Sequence, residues 1–338
     1  MESELTEHPL RVLMVGIGPI GCRIASDIQQ RGYGDIVGAV DIAEDKIGAG
    51  LGALCPGSGL SGVRVQADLY HAVRQTRPHV AVLATSSSLE AILPVATDLL
   101  QYGVHVISTC EELVYPWATR PDLAERLDGT ARQYESVLLG TGVNPGFLMD
   151  VLPLVSTALC RRVERIHVER VQDAAIRRLP FQRKIGAGLS PEEFEERAGA
   201  GSIRHVGLTE SIHLISAGAE MQLDRTEEHI EAVVAERACR SSEVQVEPGE
   251  VRGVQQLGIG WEGETPRVEL LFRAALAEPE PRDRIRITGD PDLEVVIPGG
   301  VNGDVATSAV VTNVLPGMLR LSPGLRTMLD ISIPVCRR

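Results

Sequence analysis

Residues 11–41 read RVLMVGIGPIGCRIASDIQQRGYGDIVGAVD, and this stretch decides the fold. A short apolar run, 11–15, stops at Gly16-Ile17-Gly18-Pro19-Ile20-Gly21, and Cys22, Ile24, Ala25 and Ile28 then recur at helical spacing. A second apolar run, 36–40, ends on Asp41. Gly16 permits the tight strand-to-helix turn, Gly18 the approach of a pyrophosphate to the backbone, and Gly21 close helix–strand packing. The N–H groups of Ile20 and its neighbours at the helix start are then placed to face phosphates, and Pro19 in the first turn gives up an N–H that no carbonyl needs. Asp41 is placed to accept hydrogen bonds from an adenosine ribose and to repel a 2′-phosphate, so NAD(H) is expected ahead of NADP(H). Lys46, five residues on, softens that bias. A glycine turn with an unrelated surface aspartate is the plainer alternative. The register of strand, helix, strand and terminal acid argues against it.

A chain of 338 residues suits two domains, and 43% hydrophobic content is ample for their cores. With only 3% aromatic residues, no platform for stacking bases is evident, and a formal charge of −13 opposes phosphate backbones, so nucleic acid is not an expected partner. Cysteines 22, 55, 110, 160, 239 and 336 show no metal-ligand spacing. They read as buried thiols of a reducing cytosol, with no metal site. The N-terminal MESELTEHPL lacks the apolar centre of a signal peptide, and no 18-residue apolar run offers a membrane span, so a cytoplasmic protein is expected.

Further along, apolar Ile47, Leu51 and Leu54 suggest a short helix, and HVAVLA at 79–84 a buried strand. In a doubly wound sheet that strand lies beside the first, across the topological switch, so the loop carrying Thr85, Ser86 and Ser87 lines the cofactor crevice. Ser87 with Glu90 has capping-box spacing, which predicts a helix starting there. The strand 104–108 leads into Thr109-Cys110-Glu111-Glu112, two adjacent carboxylates at the carboxyl end of a central strand; a solvated helix start is the alternative. The strand 136–140 ends in a turn with Asn144 and Pro145, expected at the nicotinamide end or, alternatively, purely structural.

From Phe147 the βα rhythm fades. Residues 147–159 look like a connecting helix, and 163–172 alternate with Arg170 on an otherwise apolar face. Arg177, Arg178, Arg183 and Lys184 make a basic patch, and 205–221 have helical spacing. Residues 251–261 and 267–276 flank a hairpin signal, and Val268, Leu270, Phe272, Ala274 and Leu276 form one apolar face in need of a cover. The organisation expected is a Rossmann-type α/β domain over 1–146 and an antiparallel α+β substrate and dimerisation domain over 147–300.

The segments VGIGPIG, VDIAEDKIG, ISTCEEL, GTGVNPGFLMD, VERVQDAAIRRLPFQRKIGAGLSPEEF, HVGLTES and GGVNGDVATSAVV, in that order, resemble the 2,4-diaminopentanoate dehydrogenases and native amine dehydrogenases of the dihydrodipicolinate-reductase-like group. The resemblance covers most of 10–335. It implies NAD(P)-dependent oxidative deamination of an amine on a secondary carbon, the reverse amination of ketones with ammonia, a homodimer, and a C-terminal segment, 301–338, packed back on the Rossmann domain. By motif it puts the catalytic glutamate at Glu111, Asn144 beside the reacting centre, and Arg170 and His205 along the substrate pocket. From the residues themselves, Arg170 with Arg177 and Arg178 would hold a carboxylate on the substrate, or alternatively bridge acids such as Glu169 or Asp173. The Glu111 carboxylate would hold the ammonium and take its proton before hydride can leave carbon. Periodicity alone does not choose between Glu111 and Glu112. The reductase proper carries a paired-histidine motif that this chain lacks. A reductase of C=N or carbonyl groups is therefore the runner-up, followed by a non-catalytic NAD(H) sensor.

Overall fold

The computed structural model describes residues 9–337, in two compact units: 9–147 with 302–337, and 148–301. Most of the N-terminal decapeptide discussed above therefore lies outside the described residues. In the first unit the strands β1 (Arg11–Val15), β2 (Asp35–Val40), β3 (Val65–Gln66), β4 (Val80–Leu83), β5 (His105–Ser108) and β6 (Val137–Gly140) are joined by helices α1 (Pro19–Gln30), α2 (Leu51–Leu54), α3 (Leu69–Thr76), α4 (Leu89–Gln101) and α5 (Pro121–Gln133). A strand from the chain's end, Gly324–Arg326, pairs with β6, and the parallel order is (324–326)-β6-β5-β4-β1-β2-β3. Val80, Ala81, Val82 and Leu83 of β4 are all fully buried, because helices cover both faces of the sheet. The chain order reverses between β1 and β4, where such sheets bind their ligands. Helix Gly303–Met318 packs on α1, with Ser308 Oγ donating to Asp27 and Arg31 Nη2 donating to Asn313 Oδ1 at 2.6 Å.

The second unit carries α6 (Val151–Ser156), β7 (Arg162–Asp173), α7 (Leu179–Lys184), α8 (Pro191–Gly199), α9 (Leu208–Gly218) and β8 (Arg225–Val234). There follow a small ribbon, β9 (Cys239–Arg240) with β10 (Gln245–Val246), and strands β11 (Val251–Glu262), β12 (Thr265–Ala275), β13 (Arg282–Asp290) and β14 (Leu293–Pro298). The sheet order is β14-β13-β7-β12-β11-β8. It is mixed rather than antiparallel throughout, since β7 runs parallel to β12. The β11–β12 hairpin turns at Gly263, where φ is +58°. Helix α9 covers the apolar face: a Cβ on Gly258 would lie 2.9 Å from Ile212 Cδ1, and one on Gly260 2.7 Å from Ile212 Cγ2. The cover that this face needs therefore comes from a helix of the same chain.

Four sequence expectations need correction. Cys22 and Cys55 form a disulfide, with Cα atoms 5.1 Å apart, so they are not free thiols; the remaining four cysteines are free. The helix proposed from Ile47 is confined to Leu51–Leu54. The connecting helix is only Val151–Ser156 with a 3₁₀ turn, Thr157–Leu159. The α4 cap is Ser88, whose Oγ accepts from Ala91 N, and not Ser87. No described helix is long and apolar enough to cross a membrane.

Candidate active site

In the first unit, the glycine loop after β1 is shaped by contacts that side chains would break. Gly16 has φ +92°, and a Cβ there would lie 2.5 Å from Ala84 O and 2.8 Å from Thr85 Cγ2. A Cβ on Gly21 would lie 2.0 Å from Gly16 O. At Gly18 nothing lies within 4 Å of the Cβ position, so the backbone there is open to a ligand. Helix α1 starts at Pro19 with no side-chain cap, and its first-turn N–H groups, Ile20 included, are left to an anion. Asp41, at the end of β2, accepts from Ile17 N at 2.7 Å, Ala43 N at 2.9 Å and Lys46 Nζ at 2.9 Å. Burial pushes this carboxyl up. The Ala43 N–H, Lys46 and the Ile17 N–H outweigh that and hold it below the usual carboxylate range. These residues fit a dinucleotide: an open backbone at Gly18 for pyrophosphate, and an ionised acid for ribose hydroxyls.

Across the switch, Ser86 Oγ accepts from Ser88 N at 3.1 Å, and the loop after β5 is tied beneath it. Thr109 N donates to Leu83 O at 3.1 Å, Cys110 N to Ser108 Oγ at 3.1 Å, and Ser108 Oγ to Leu83 O at 2.9 Å. The two adjacent acids sit in a 3₁₀ turn, Glu111–Leu113. Glu112 Oε2 accepts from Leu89 N at 2.8 Å, so its carboxylate caps the start of α4. Burial, then the charge of Glu111, pushes the Cys110 thiol far up, so Cys110 is a packing residue and no nucleophile.

The third loop, after β6, closes on itself. Gly146 has φ +119°, and a Cβ there would lie 2.4 Å from Gly142 N. Asn144 is buried, and its peptide bond to Pro145 is cis. Thr141 Oγ1 meets Met328 Sδ at 3.0 Å, and Val143 N donates to Thr307 Oγ1 at 3.4 Å. Sequence reading missed Ser108, Thr307 and Met328. Their hydrogen bonds to loops distant in sequence leave no local signal.

The second unit carries Arg170, Arg178 and His205. Here Arg170 has an internal partner. Arg170, expected to grip substrate, donates from Nη1 to Asp283 Oδ1 at 2.9 Å and from Nη2 to Val301 O at 3.2 Å. The two side chains of that pair are 2% and 3% exposed. Asp283 Oδ2 also accepts from Val301 N at 2.8 Å, so the pair grips both polar groups of one peptide residue. Burial moves both groups toward neutrality, Arg170 down and Asp283 up, against their mutual attraction. His205 precedes α9 and stacks on Phe272, ring centroids 4.2 Å apart. Its backbone is clamped by the buried Gln256, whose Oε1 accepts from His205 N at 2.7 Å and whose Nε2 donates to His205 O at 3.1 Å. Burial, with the Lys184 and Arg170 charges, pushes His205 down to about 3, so the imidazole is neutral at working pH. Arg177 donates to Gln172 Oε1 at 3.2 Å and stacks over Phe181, while Arg178 is exposed at the start of α7.

Residues 147–337 match the family model for the 2,4-diaminopentanoate dehydrogenase C-terminal domain. Over 334 residues the chain is 27% identical to the 2,4-diaminopentanoate dehydrogenase of Acetoanaerobium sticklandii, covering 96% of this chain and 94% of that one. The solved amine dehydrogenase from Mycobacterium smegmatis shares the fold, with a TM-score of 0.87 and 22% identity over 98% of each chain. Dihydrodipicolinate reductase from Paenisporosarcina sp. TG-14 shares it more distantly, with a TM-score of 0.53 and 10% identity over 96% of this chain and 100% of that one. Other solved structures of the fold hold NAD, NADH or NADP+. The family model covers more than half of the sequence, and the resemblance read from its motifs holds: the chain belongs to the 2,4-diaminopentanoate dehydrogenase family.

Proposed function

We propose that this chain is an NAD(P)-dependent amine dehydrogenase in which Glu111 handles the protons. It would deaminate a primary amine on a secondary carbon and, in reverse, aminate a ketone with ammonia. The bound cofactor supplies or takes the hydride. The carboxylate of Glu111 would pair with the substrate ammonium and remove one proton, because a nitrogen without a lone pair cannot push hydride off carbon. In the amination direction it would hold ammonia and return protons. The observation carrying this reading is the division of roles in the turn after β5. The Glu112 carboxylate holds the start of α4, and the family motif puts the chemistry on its neighbour. A panel of amines with NAD and NADP, followed at the reduced-nicotinamide absorbance, tests it. Ketone reduction that does not require ammonium would favour a plain carbonyl or C=N reductase instead, and NADH binding without turnover a sensor.

Asn144 would border the reacting centre. Arg178, with Arg177 beside it, takes over from Arg170 as the group that reads a carboxylate on the substrate. The neutral His205 would present ring nitrogens for hydrogen bonding rather than charge.

NAD(H) should be preferred over NADP(H), because Asp41 is ionised and would repel a 2′-phosphate. Lys46, already paired with Asp41, limits the margin. Asp41→Ser should raise the ratio of kcat/KM for NADP over NAD by about tenfold, roughly 1.4 kcal/mol. Wild type favouring NADP, with no change in the variant, would remove Asp41 from the cofactor site.

A homodimer is also expected, through the sheet face opposite α9. That face carries ion pairs, among them Arg282 Nη2–Glu169 Oε2 at 2.8 Å and Arg286 Nε–Glu294 Oε1 at 2.8 Å, around the part-buried Leu257 and Leu271. Light scattering at micromolar concentration should give twice the 36.4 kDa of one chain. A mass equal to one chain would refute the dimer.

A further inference from the structure

The 3₁₀ turn that carries Glu111 is three residues long and has little internal hydrogen bonding to hold it. Its placement comes from outside. Glu112 Oε2 accepts from Leu89 N at 2.8 Å, Glu112 N donates to Ser87 O at 3.3 Å, and Cys110 Sγ lies 3.2 Å from Ser87 O. From the other side the turn rests on the end of β6, where a Cβ on Gly140 would lie 2.7 Å from Leu113 O. The turn is thus fastened to the Thr85–Ser87 loop and the start of α4, with the Glu112 carboxylate supplying a charged tie. In place of the capping box that the sequence offered, Ser87 with Glu90, Ser88 caps α4 and the Glu112 carboxylate, 23 residues from Leu89, holds the first N–H of the helix.

We propose that Glu112 is a positioning residue: its contact with Leu89 sets where Glu111 stands and couples that position to the cofactor loop. This deepens the function proposed above and rests on it. An α4 cap of purely structural value is the competing account, and Ser88 distinguishes the two, because it caps the same helix through Ala91 N without touching the Glu111 turn. Loss of the Glu112 tie displaces a proton-handling group, and a shift of about 1 Å can cost about 100-fold. A glutamine keeps an acceptor oxygen at the same reach.

The experiment compares kcat, amine KM, NADH affinity and Tm for Glu112→Ala, Glu112→Asp, Glu112→Gln, Ser88→Ala and Glu111→Gln. Glu112→Ala should lower kcat about 10- to 100-fold, with a smaller change in amine KM, and Glu112→Gln should restore it to within about threefold of wild type. Ser88→Ala should lower Tm yet keep kcat. Should Glu112→Ala fail to fold, Glu112→Asp, whose reach is one methylene shorter, should show the same loss of kcat in milder form. Equal kcat losses in Ser88→Ala and Glu112→Ala would reduce Glu112 to a helix cap. A Glu112→Gln enzyme as slow as Glu112→Ala would make the carboxylate itself chemical. Full activity of Glu112→Ala with a dead Glu111→Gln overturns the positioning role alone, whereas an active Glu111→Gln overturns the parent reading.

Discussion

Glu111→Gln should lower kcat for deamination by about 10²- to 10⁴-fold, the usual worth of a positioned acid–base group. NADH affinity should stay within about threefold of wild type, because no atom of the glycine loop or of Asp41 is altered. Glutamine matches glutamate in size, so the turn and its fastening to α4 should persist. What is lost is the charge that holds an ammonium and the basicity that accepts its proton. The expected signature is therefore a fall in kcat together with kcat/KM, at unchanged thermal stability. A defect confined to KM would instead mean that Glu111 only helps to bind the amine. Near-wild-type turnover in Glu111→Gln would sink the assignment, and the mechanism with it.

The same turn shows how far sequence carries. Gly16, Gly18, Gly21 and Asp41 were legible because their roles are local: a positive φ, an open backbone and a terminal acid all lie within one βαβ unit. The carboxylates at 111 and 112 were visible as a pair. Only tertiary structure separates them, since the partner of Glu112 is a peptide N–H on another loop. Ser87 and Ser88 are equally good caps on paper, and the chain direction into Leu89 selects Ser88. In the second unit the inward face of β12 was readable from alternation. Strand β8 was missed because RTEEHIEAVV is an edge strand, charged and half exposed, with no clean period. The parallel pairing of β7 with β12 was equally hidden, because alternation reports which face is buried and not strand direction. Residues 22 and 55 carry no mark of pairing, since nothing local shows that α2 returns beside the first turn of α1.

Arg170 illustrates a residue whose oddity was legible and whose partner was not. An arginine on an apolar strand face needs an anion, and the sequence leaves open a substrate carboxylate or an acid of the same chain. The anion is Asp283, directly across on β13, more than a hundred residues away in sequence. Arg170→Met should therefore act first on stability. It leaves a buried carboxylate without its counter-charge, which costs about 3–5 kcal/mol, and Val301 O loses a donor. Burial already pushes Asp283 up, so without the guanidinium it should bind a proton in the folded state above its unfolded pKa. Stability from such a group is fully present below the unfolded pKa and is lost as pH rises through the folded one. The deficit of Arg170→Met relative to wild type should accordingly shrink as pH is lowered from 8 toward about 4. Adding Asp283→Asn removes the stranded charge yet keeps an acceptor for Val301 N, so the double variant should recover about half of the loss or more. Urea unfolding of the four proteins across that pH range measures the cycle. Where Arg170→Met remains folded, its preference for 4-oxopentanoate over 2-pentanone should match wild type, because the carboxylate-reading role is assigned to Arg178 and Arg177. An unchanged unfolding midpoint with that preference erased would instead return Arg170 to the substrate pocket.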